Sequence, residues 1–520
     1  MENVTFREPK GSAGRAGHVC INCRLRKKRC DKRLPGCTYC AARSLVCYYI
    51  PPSPAPKQGQ RTPTQKSSPV YYSPITDSFS PTAENGHTIQ RRPSEINSPA
   101  LPVLANTILL PIGTTSELQN TDNIIHLEVC RIIQEAGQFA DDIGSKYFRR
   151  IHKWIPILSR RRFHNNLVNF PSQPGADFSI LLLTMCLITY QDLNNLDSHS
   201  MRESMYLGAK MLYARVQAFI PASVHLIQAG ILLSEYEYAT GRPDVAYMTI
   251  GNCARMAYSL RMNESVNMDT MEAEDYSQAA EEKRNLWWGV VICERTFFCD
   301  VKSSTLPFAA TLPGVDSVLP SDIDIPGLDT PGTERTQTET RPLLTEIAPG
   351  YVGTFVRQAQ AAYLVEKTTE ALKMADKLVQ MRAISALDSE LQSFLRIVMD
   401  QGRKICGPFC APAVLSLRAL FMLHEAVLSQ TASQKLSLDW EKRSLSTLAT
   451  TTKIVIDIAH IHTSKMTIAD CDHLPSSWIY LMRAALSYLE RSRSGSVEPN
   501  SEHDALKLSL SKIIQRWGTR

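Results

Sequence analysis

The sequence predicts a small metal-organised N-terminal module with two short helices, a disordered Pro/Ser-rich linker and a large all-α domain. Six of the 14 cysteines fall between Cys20 and Cys47. Residues 51–111 contain 12 of the 30 prolines. Proline removes backbone donors and fixes φ, so neither helix nor sheet continues through such a segment. Beyond about residue 120, apolar residues recur at helical spacing and strand-like alternation is scarce.

These patterns predict the domain organisation and the helices. The predicted domains are residues 1–15 (disordered N-terminus), 16–50 (metal module), 51–118 (linker) and 119–520 (all-α domain, with a loop over 303–346). The predicted helices are 121–139, 178–190, 203–219, 222–240, 244–261, 279–300, 352–383, 385–402, 411–429, 440–463, 475–491 and 503–517.

Positive charge is concentrated at the N-terminus. Residues 1–50 contain 11 Lys or Arg against three Asp or Glu, whereas the remaining residues contain 46 against 48. A basic surface attracts polyanions such as nucleic acid. We therefore expect a polyanionic partner for the N-terminal module and none for the rest of the chain.

The sequence predicts neither membrane insertion nor secretion. The longest apolar stretch, Phe178–Tyr190, is shorter than the roughly 18 residues that a membrane span needs, so it predicts a buried helix. Residues 1–18 contain no apolar core of a signal peptide. We expect a cytosolic or nuclear address, where thiols stay reduced.

The N-terminal cysteines form one spacing written twice, C-x2-C-x6-C. They are Cys20, Cys23, Cys30, Cys37, Cys40 and Cys47. A disulfide framework would need an oxidising compartment, and a single structural zinc takes four ligands and leaves two thiols idle. Two zinc ions need eight bonds from six sulfurs, so two thiolates must bridge. The doubled spacing suggests one bridging cysteine in each half.

The two x6 segments differ in charge. The first, "RLRKKR" (24–29), has five cationic residues of six, whereas the second, "AARSLV" (41–46), has one. If both form equivalent short helices, only the first suits a groove lined by phosphates. Lys32 and Arg33 extend that basic surface.

This spacing, with Pro35 between its halves, resembles that of the fungal binuclear zinc-cluster (Zn(2)-C6 type) transcription factors. The resemblance implies two Zn²⁺ ions held by all six cysteines. Within that set, Cys20 and Cys37 bridge, Cys23 and Cys30 complete one site, and Cys40 and Cys47 complete the other.

The resemblance also implies that the first helix enters the major groove of double-stranded DNA and reads a CGG-type triplet. Guanine presents O6 and N7 acceptors there, which suit Lys and Arg. By position, Arg26 and Lys27 are the candidate base readers. The candidate phosphate contacts are Arg24, Lys28, Arg29, Lys32 and Arg33.

The helical part resembles the middle regulatory domain of the same family over roughly 120–320. The matching stretches are Tyr147–Phe163, His225–Asn263 and Glu281–Asp300. Within the last, Trp287 and Trp288 predict a tight packing junction with at most one ring pointing fully inward, because adjacent helical residues face about 100° apart. Glu294 and Arg295 predict an internal ion pair.

The leading hypothesis is a nuclear, sequence-specific RNA polymerase II regulator of fungal metabolism. The alternative is a zinc-cluster protein that acts mainly through protein contacts, with non-specific DNA contact. No glycine-rich phosphate loop, G-x-S-x-G or H-E-x-x-H motif predicts an enzyme. The helical domain is expected to take a co-regulator or small-molecule effector. The sequence leaves dimerisation open, and Asp316, Asp322, Asp324 and Asp329 form a weak candidate activation segment.

Overall fold

The structure is a computed structural model of the chain. It describes residues 19–20, 23, 28–33, 37–43, 115–170, 175–191, 198–264, 274–303, 305–314, 317–322, 343–347, 352–403, 409–433, 438–465, 468–492 and 501–518. The chain divides into two units, Met1–Pro111 and Ile112–Arg520. The predicted disordered N-terminus and almost all of the predicted linker lie outside the described residues.

The described residues form helices and no strand, which confirms the predicted all-α class. In chain order the helices are α1 (Thr38–Ala41), α2 (Thr115–Glu135), α3 (Ala140–Arg149), α4 (Arg160–Asn169), α5 (Ala176–Thr189), α6 (Ser198–Phe219), α7 (Val224–Ala239), α8 (Pro243–Ser259), α9 (Glu274–Phe298), α10 (Thr354–Leu372), α11 (Lys377–Gly402), α12 (Cys410–Ser433), α13 (Leu438–Lys465), α14 (Trp478–Ser492) and α15 (Ser501–Trp517).

Two helices form the centre of the second unit. Helix α5 is buried at every residue except Asp177, and α7 is buried from Leu226 to Ala239. Both sequences are apolar around most of the helix circumference, and a helix of that kind is stable only when other helices surround it. Helix α7 accordingly packs against α5, α8 and α9. The prediction of a buried helix over 178–190 is confirmed.

The prediction that only one of Trp287 and Trp288 points inward is wrong. Both rings are buried, at 3% and 1% exposure. Helix α9 is covered on more than one side, because α7 and α8 lie on it and the segment after it folds back. Trp287 packs edge-on against Tyr258, and the Trp288 indole N–H donates to the carbonyl of Val318 at 3.3 Å.

The predicted loop after α9 is non-helical in its described parts, and polar side chains of α9 hold it. Glu294 and Arg295 are fully buried and form an ion pair of 2.6 Å, which confirms the predicted internal pair. Glu294 also accepts from the backbone N–H groups of Ala309 and Ala310. Arg295 donates to the Ala310 carbonyl and to Glu366 of α10.

Asp322, one of the acids of the candidate activation segment, has a structural role. Its carboxylate accepts from the backbone N–H groups of Thr354 and Phe355, at 2.7 and 2.9 Å, at the start of α10. A carboxylate in this position satisfies N–H groups that have no partner within the helix. Residues 316, 324 and 329 lie outside the described residues.

The predicted helix 352–383 is two helices, and the break falls about ten residues earlier than predicted. Helix α10 ends at Leu372 and α11 begins at Lys377. Asp376 caps α11, accepting from the backbone N–H groups of Leu378 and Val379 at 2.8 and 3.0 Å. The turn lets α11 fold back against α10 and α12.

One helix in the described residues is long and apolar enough to cross a membrane by composition. It covers Cys410–Gln430 within α12, a feature that the sequence analysis did not predict. Within the fold, 72% of the 18-residue apolar window in this segment is buried. Helix α12 packs against α10, α11 and α13, as expected of a core helix.

Candidate zinc and DNA-binding site

The first unit contains two CxxC turns with the same local geometry. The Cys23 N–H points at the sulfur of Cys20 at 3.4 Å, and the Cys40 N–H points at the sulfur of Cys37 at 3.4 Å. In each turn the backbone therefore brings two sulfurs to the same side. The repeat in the sequence is thus a repeat in structure over these four residues.

Four sulfurs converge into a compact group, in which three of the cysteines are buried and Cys30 is half-buried. The Sγ atoms of Cys20, Cys23, Cys30 and Cys37 lie within 4.8 Å of one another. The Sγ–Sγ distance is 3.8 Å for Cys20–Cys37 and 3.5 Å for Cys23–Cys37. A tetrahedral zinc site with Zn–S bonds of about 2.3 Å requires sulfurs about 3.8 Å apart. The donor type and the spacing fit zinc.

Cys20 and Cys37 belong to the group of four sulfurs and also lie next to Cys40. The sulfur of Cys20 lies 3.8 Å from that of Cys37 and 3.7 Å from that of Cys40. The sulfur of Cys37 lies 3.5 Å from that of Cys23 in the other half. This central position suits a thiolate shared by two ions. Cys47 lies outside the described residues.

The thiols of this group differ in acidity. Burial raises the pKa of Cys23 to about 11. For Cys30, backbone hydrogen bonds at Cys20 and Lys32 outweigh the opposing effect of burial and lower the pKa to about 7. Only the thiolate is a metal ligand, so zinc binding releases protons from this group.

A carboxylate connects the two halves beside the sulfurs. Asp31, directly after Cys30, accepts from the backbone N–H of Thr38 at 3.0 Å and from the Thr38 hydroxyl. It also lies 3.4 Å from Nε of Arg33. The Thr38 hydroxyl bond, together with the neighbouring donors, lowers the pKa of Asp31. The sequence analysis did not single out Asp31 or Thr38, although a lone acid beside so many cations was a visible signal.

The candidate DNA contacts are described in part. Lys28, Arg29 and Arg33 are exposed and Lys32 is half-buried. Arg24, Arg26 and Lys27, which include both candidate base readers, lie outside the described residues. In the second half the guanidinium of Arg43 lies 4.3 Å from the centre of the Tyr39 ring.

A Ser–His–Asp hydrogen-bonded chain is present in the helical unit. The two ring nitrogens of His424 lie 3.1 Å from the Ser444 hydroxyl and 3.2 Å from the Asp388 carboxylate. All three residues are 0% exposed, and Asp388 also receives Arg443 at 2.7 Å. A nucleophile needs access to its substrate. This chain is therefore internal structure that ties α11 to α12 and α13.

Two clefts occur on the described surface of the helical unit. One, of about 340 Å³, lies between α6, the end of α7 and the end of α15, with Tyr236 and Trp517 in its wall. Its two arginines are engaged, because Arg242 pairs with Glu203 at 2.7 Å and Arg202 donates to a backbone carbonyl. The other, of about 420 Å³, is a more open and partly apolar groove between α6 and α8.

Family comparisons match both parts of the chain. Residues 18–56 match the fungal Zn(2)-Cys(6) binuclear cluster domain, and residues 145–324 match the fungal specific transcription factor domain. The second match spans the core helices from α3 to α9 and the segment that folds back on α9.

Curated relatives are fungal regulators of low identity. Transcription factor BOA15 of Botryotinia fuckeliana is 28% identical over 24% of this chain and 67% of that protein. The citrinin biosynthesis transcriptional activator mrl3 of Monascus ruber is 22% identical over 55% of this chain and 61% of that protein. The lactose regulatory protein LAC9 of Kluyveromyces lactis is 25% identical over 47% of this chain and 27% of that protein.

The chain spans between about half and two thirds of the length of each of the first five curated relatives that it matches. The two matched domains belong to proteins that bind zinc and DNA and regulate transcription, and they are not enzymes. The cysteine spacing, the converging sulfurs and both domain matches agree: the chain contains the Zn(2)-Cys(6) cluster domain and the fungal specific transcription factor domain, and its curated relatives are fungal Zn(2)-Cys(6) transcription factors.

Proposed function

We propose that the chain is a sequence-specific regulator whose first unit binds two Zn²⁺ ions through six cysteines. The observation that carries this proposal is the central position of two sulfurs. Cys20 and Cys37 belong to the group of four sulfurs and each also faces Cys40, since the Cys20 sulfur lies 3.7 Å from the Cys40 sulfur and the Cys40 N–H points at the Cys37 sulfur; each therefore suits a bridging role. The four converging sulfurs are those assigned to one ion, and Cys40 with Cys47 completes the other.

Metal content tests the zinc stoichiometry. The full chain is expected to contain two zinc ions per molecule by elemental analysis, and Cys47→Ser is expected to lower that content because one site loses a ligand. Cys186→Ser is the matched control, since Cys186 is a buried thiol of α5 far along the chain from the cysteine repeat. A wild-type content of one ion would contradict the bridged arrangement.

We propose that the first half of the repeat reads a CGG-type triplet in the major groove. Arg26 and Lys27 are the proposed base readers, and Arg24, Lys28, Arg29, Lys32 and Arg33 the proposed phosphate contacts. The exposed Lys28, Arg29 and Arg33 support this assignment. So does the second half, where the one cation of the x6 segment lies over Tyr39.

Affinity measured against salt and sequence distinguishes this proposal from its alternative. A sequence-specific regulator prefers a CGG-containing duplex over a scrambled one at every salt concentration, while the affinity for both falls steeply with salt. Lys28→Ala is expected to weaken binding to both duplexes, and Lys27→Ala to reduce the preference. Equal affinity for all duplexes would instead favour a co-regulator with non-specific DNA contact.

The wider biological role is also a proposal. We propose a nuclear RNA polymerase II regulator of a fungal metabolic pathway, with the domain limits 16–50, 51–118 and 119–520. Relatives named for citrinin biosynthesis and for a tropolone cluster support the metabolic assignment. Helix α2 begins at Thr115, slightly inside the proposed linker. Genome-wide occupancy mapping in the native fungus tests the role, because a pathway regulator occupies the promoters of one gene cluster.

We propose that the helical unit receives the regulatory input, a co-regulator or a small-molecule effector. The cleft of about 340 Å³ beside Tyr236 and Trp517 lies within the size range of small-ligand sites. Thermal unfolding of the full chain with pathway metabolites tests the effector. A metabolite that raises the midpoint for wild type and not for Trp517→Ala supports this cleft, and an equal rise in both places the effector elsewhere.

A further inference from the structure

Asp31 is the one acidic residue between Cys20 and Cys47. The same segment carries the proposed phosphate contacts, and a carboxylate beside them repels a polyanion. A neutral residue at this position would increase the general attraction to DNA. This repulsion implies that the Asp31 carboxylate also makes a favourable contribution, through its contacts within the module.

The carboxylate joins the end of the first half of the repeat to the start of the second half. Asp31 follows Cys30, the last cysteine of the first half, and Thr38 follows Cys37, the first cysteine of the second. Both Thr38 donors point to it, the backbone N–H at 3.0 Å and the hydroxyl. The contact lies at the start of α1. It therefore connects the end of the basic half (the first half of the repeat, Cys20–Cys30, with the basic segment 24–29) to the helix of the second half.

The residue directly after Asp31 has a strained backbone conformation. Lys32 has a φ of +61°, in the left-handed region that residues other than glycine seldom adopt. The next residue, Arg33, turns its guanidinium back to the same carboxylate, with Nε 3.4 Å from Oδ2. Asp31 thus contacts both Arg33, a proposed phosphate contact, and Thr38 of the second half.

We infer that Asp31 is a positioning residue for DNA reading: its bond to Thr38 and its ion pair with Arg33 fix the basic half against the second half. This inference rests on the proposed DNA-binding function. Positioning favours the one duplex on which all contacts fit together. The negative charge meanwhile weakens binding to every duplex, so Asp31 raises discrimination between sequences at the expense of general affinity.

The two roles of the residue have opposite signs, which makes the test sharp. Asp31→Asn keeps the shape of the side chain and one acceptor oxygen for the Thr38 backbone N–H, but it removes the charge and replaces the oxygen that faces the Thr38 hydroxyl and Arg33 with an amide NH2, which cannot accept. Binding to a scrambled duplex is expected to tighten a few-fold, because repulsion is removed. The ratio of specific to non-specific affinity is expected to fall roughly tenfold, the effect of losing one charge-assisted hydrogen bond.

Thr38 supplies a charge-neutral variant and its matched control. Thr38→Val removes the hydroxyl donor at nearly constant shape, and it is expected to lower specific affinity several-fold while leaving affinity for the scrambled duplex unchanged. Thr38→Ser keeps the hydroxyl and is expected to bind both duplexes like wild type. The specific duplex is one that the wild-type full chain selects from a random-sequence pool, so the test does not depend on the triplet.

Zinc content and far-UV circular dichroism are measured on every variant. Unchanged zinc content with a lowered ratio supports the inference. Tighter binding of Asp31→Asn to both duplexes at an unchanged ratio overturns it, and so does a loss of zinc, which would assign the contact to metal-site assembly. Failure of the wild-type chain to select any sequence contradicts the proposed function itself, an outcome distinct from these two.

Discussion

At the scale of single residues, the stability of the fold depends most on charged side chains that are buried. The clearest case is Arg295, which is fully buried and holds both Glu294 and Glu366. Breaking such a network leaves carboxylates in the interior without their cation, and the desolvation cost of these charges is then uncompensated.

Arg295→Ala is therefore expected to lower the free energy of unfolding by about 3–5 kcal/mol. Urea unfolding of the full chain, followed by circular dichroism at the helical minimum, measures the change. The control is Lys367→Ala, because Lys367 and Glu370 form an exposed pair on α10 and such pairs contribute about 0–1 kcal/mol. Equal effects of the two substitutions would contradict the role of the buried pair.

Glu235 is a second buried acid, and it gives the helical unit a pH dependence. It accepts from the Ser476 hydroxyl and from the thiol of Cys293. Burial raises its pKa from 4.5 to about 7, although both hydrogen bonds oppose the rise. The unfolded chain thus releases this proton near pH 4.5 and the folded chain only near pH 7.

Between these values the folded state binds more protons, so the free energy of unfolding falls as pH rises from about 4.5 to 7. The loss is on the order of 3 kcal/mol for a shift of this size. Glu235→Gln is expected to remove this slope and to stabilise the chain at pH 8. Urea unfolding from pH 5 to 8 measures it, with the exposed Glu490→Gln as control, and an undiminished slope in Glu235→Gln would refute the assignment.

At the scale of elements, caps decide where helices begin. Sequence periodicity predicted one helix over 352–383 because apolar spacing continues through the break. The structure divides it at Asp376, whose carboxylate accepts from two N–H groups of α11. Helices α3 and α4 were not among the helices predicted from the sequence. Each has only ten residues, and so few turns do not establish a helical period.

Asp376→Ala is expected to lower the free energy of unfolding by about 1 kcal/mol, because two N–H groups at the start of α11 lose their acceptor. Asp376→Asn keeps a capping oxygen and is expected to stay close to wild type. Urea unfolding of both variants provides the measurement. A matching loss in the alanine and asparagine variants would show that charge, rather than capping, is the contribution of Asp376.

At the scale of the whole molecule, the two units have separate cores. The buried cysteines form one small cluster, and the main apolar core of the helical unit contains residues from Ile125 to Trp517. A module of this size has little apolar surface to bury, so metal ligation supplies its folding free energy. The helical unit has no such dependence among its described residues.

Removal of zinc with 1,10-phenanthroline is therefore expected to abolish specific DNA binding and to leave the helical dichroism and its thermal midpoint almost unchanged. Gel-shift and circular dichroism measurements on the same sample check both parts, and added zinc is expected to restore binding. Parallel loss of the helical signal would mean that the two units fold as one.

The sequence by itself determined the class of the protein. Metal ligation depends on residue type and short-range spacing, so the six cysteines predicted the metal module directly, and helical periodicity predicted most of α5 to α15. Proline content and charge located the linker and the basic half. The domain limits and the individual DNA contacts stay predictions.

Only the tertiary structure decided how distant residues meet. It buried both Trp287 and Trp288, because the preceding helix α8 and the segment that follows α9 both fold against α9. It placed Asp31 against Thr38 across the repeat, a contact that the spacing of the cysteines does not encode. Such pairings depend on long-range packing and hydrogen-bond geometry, which local periodicity and composition do not contain.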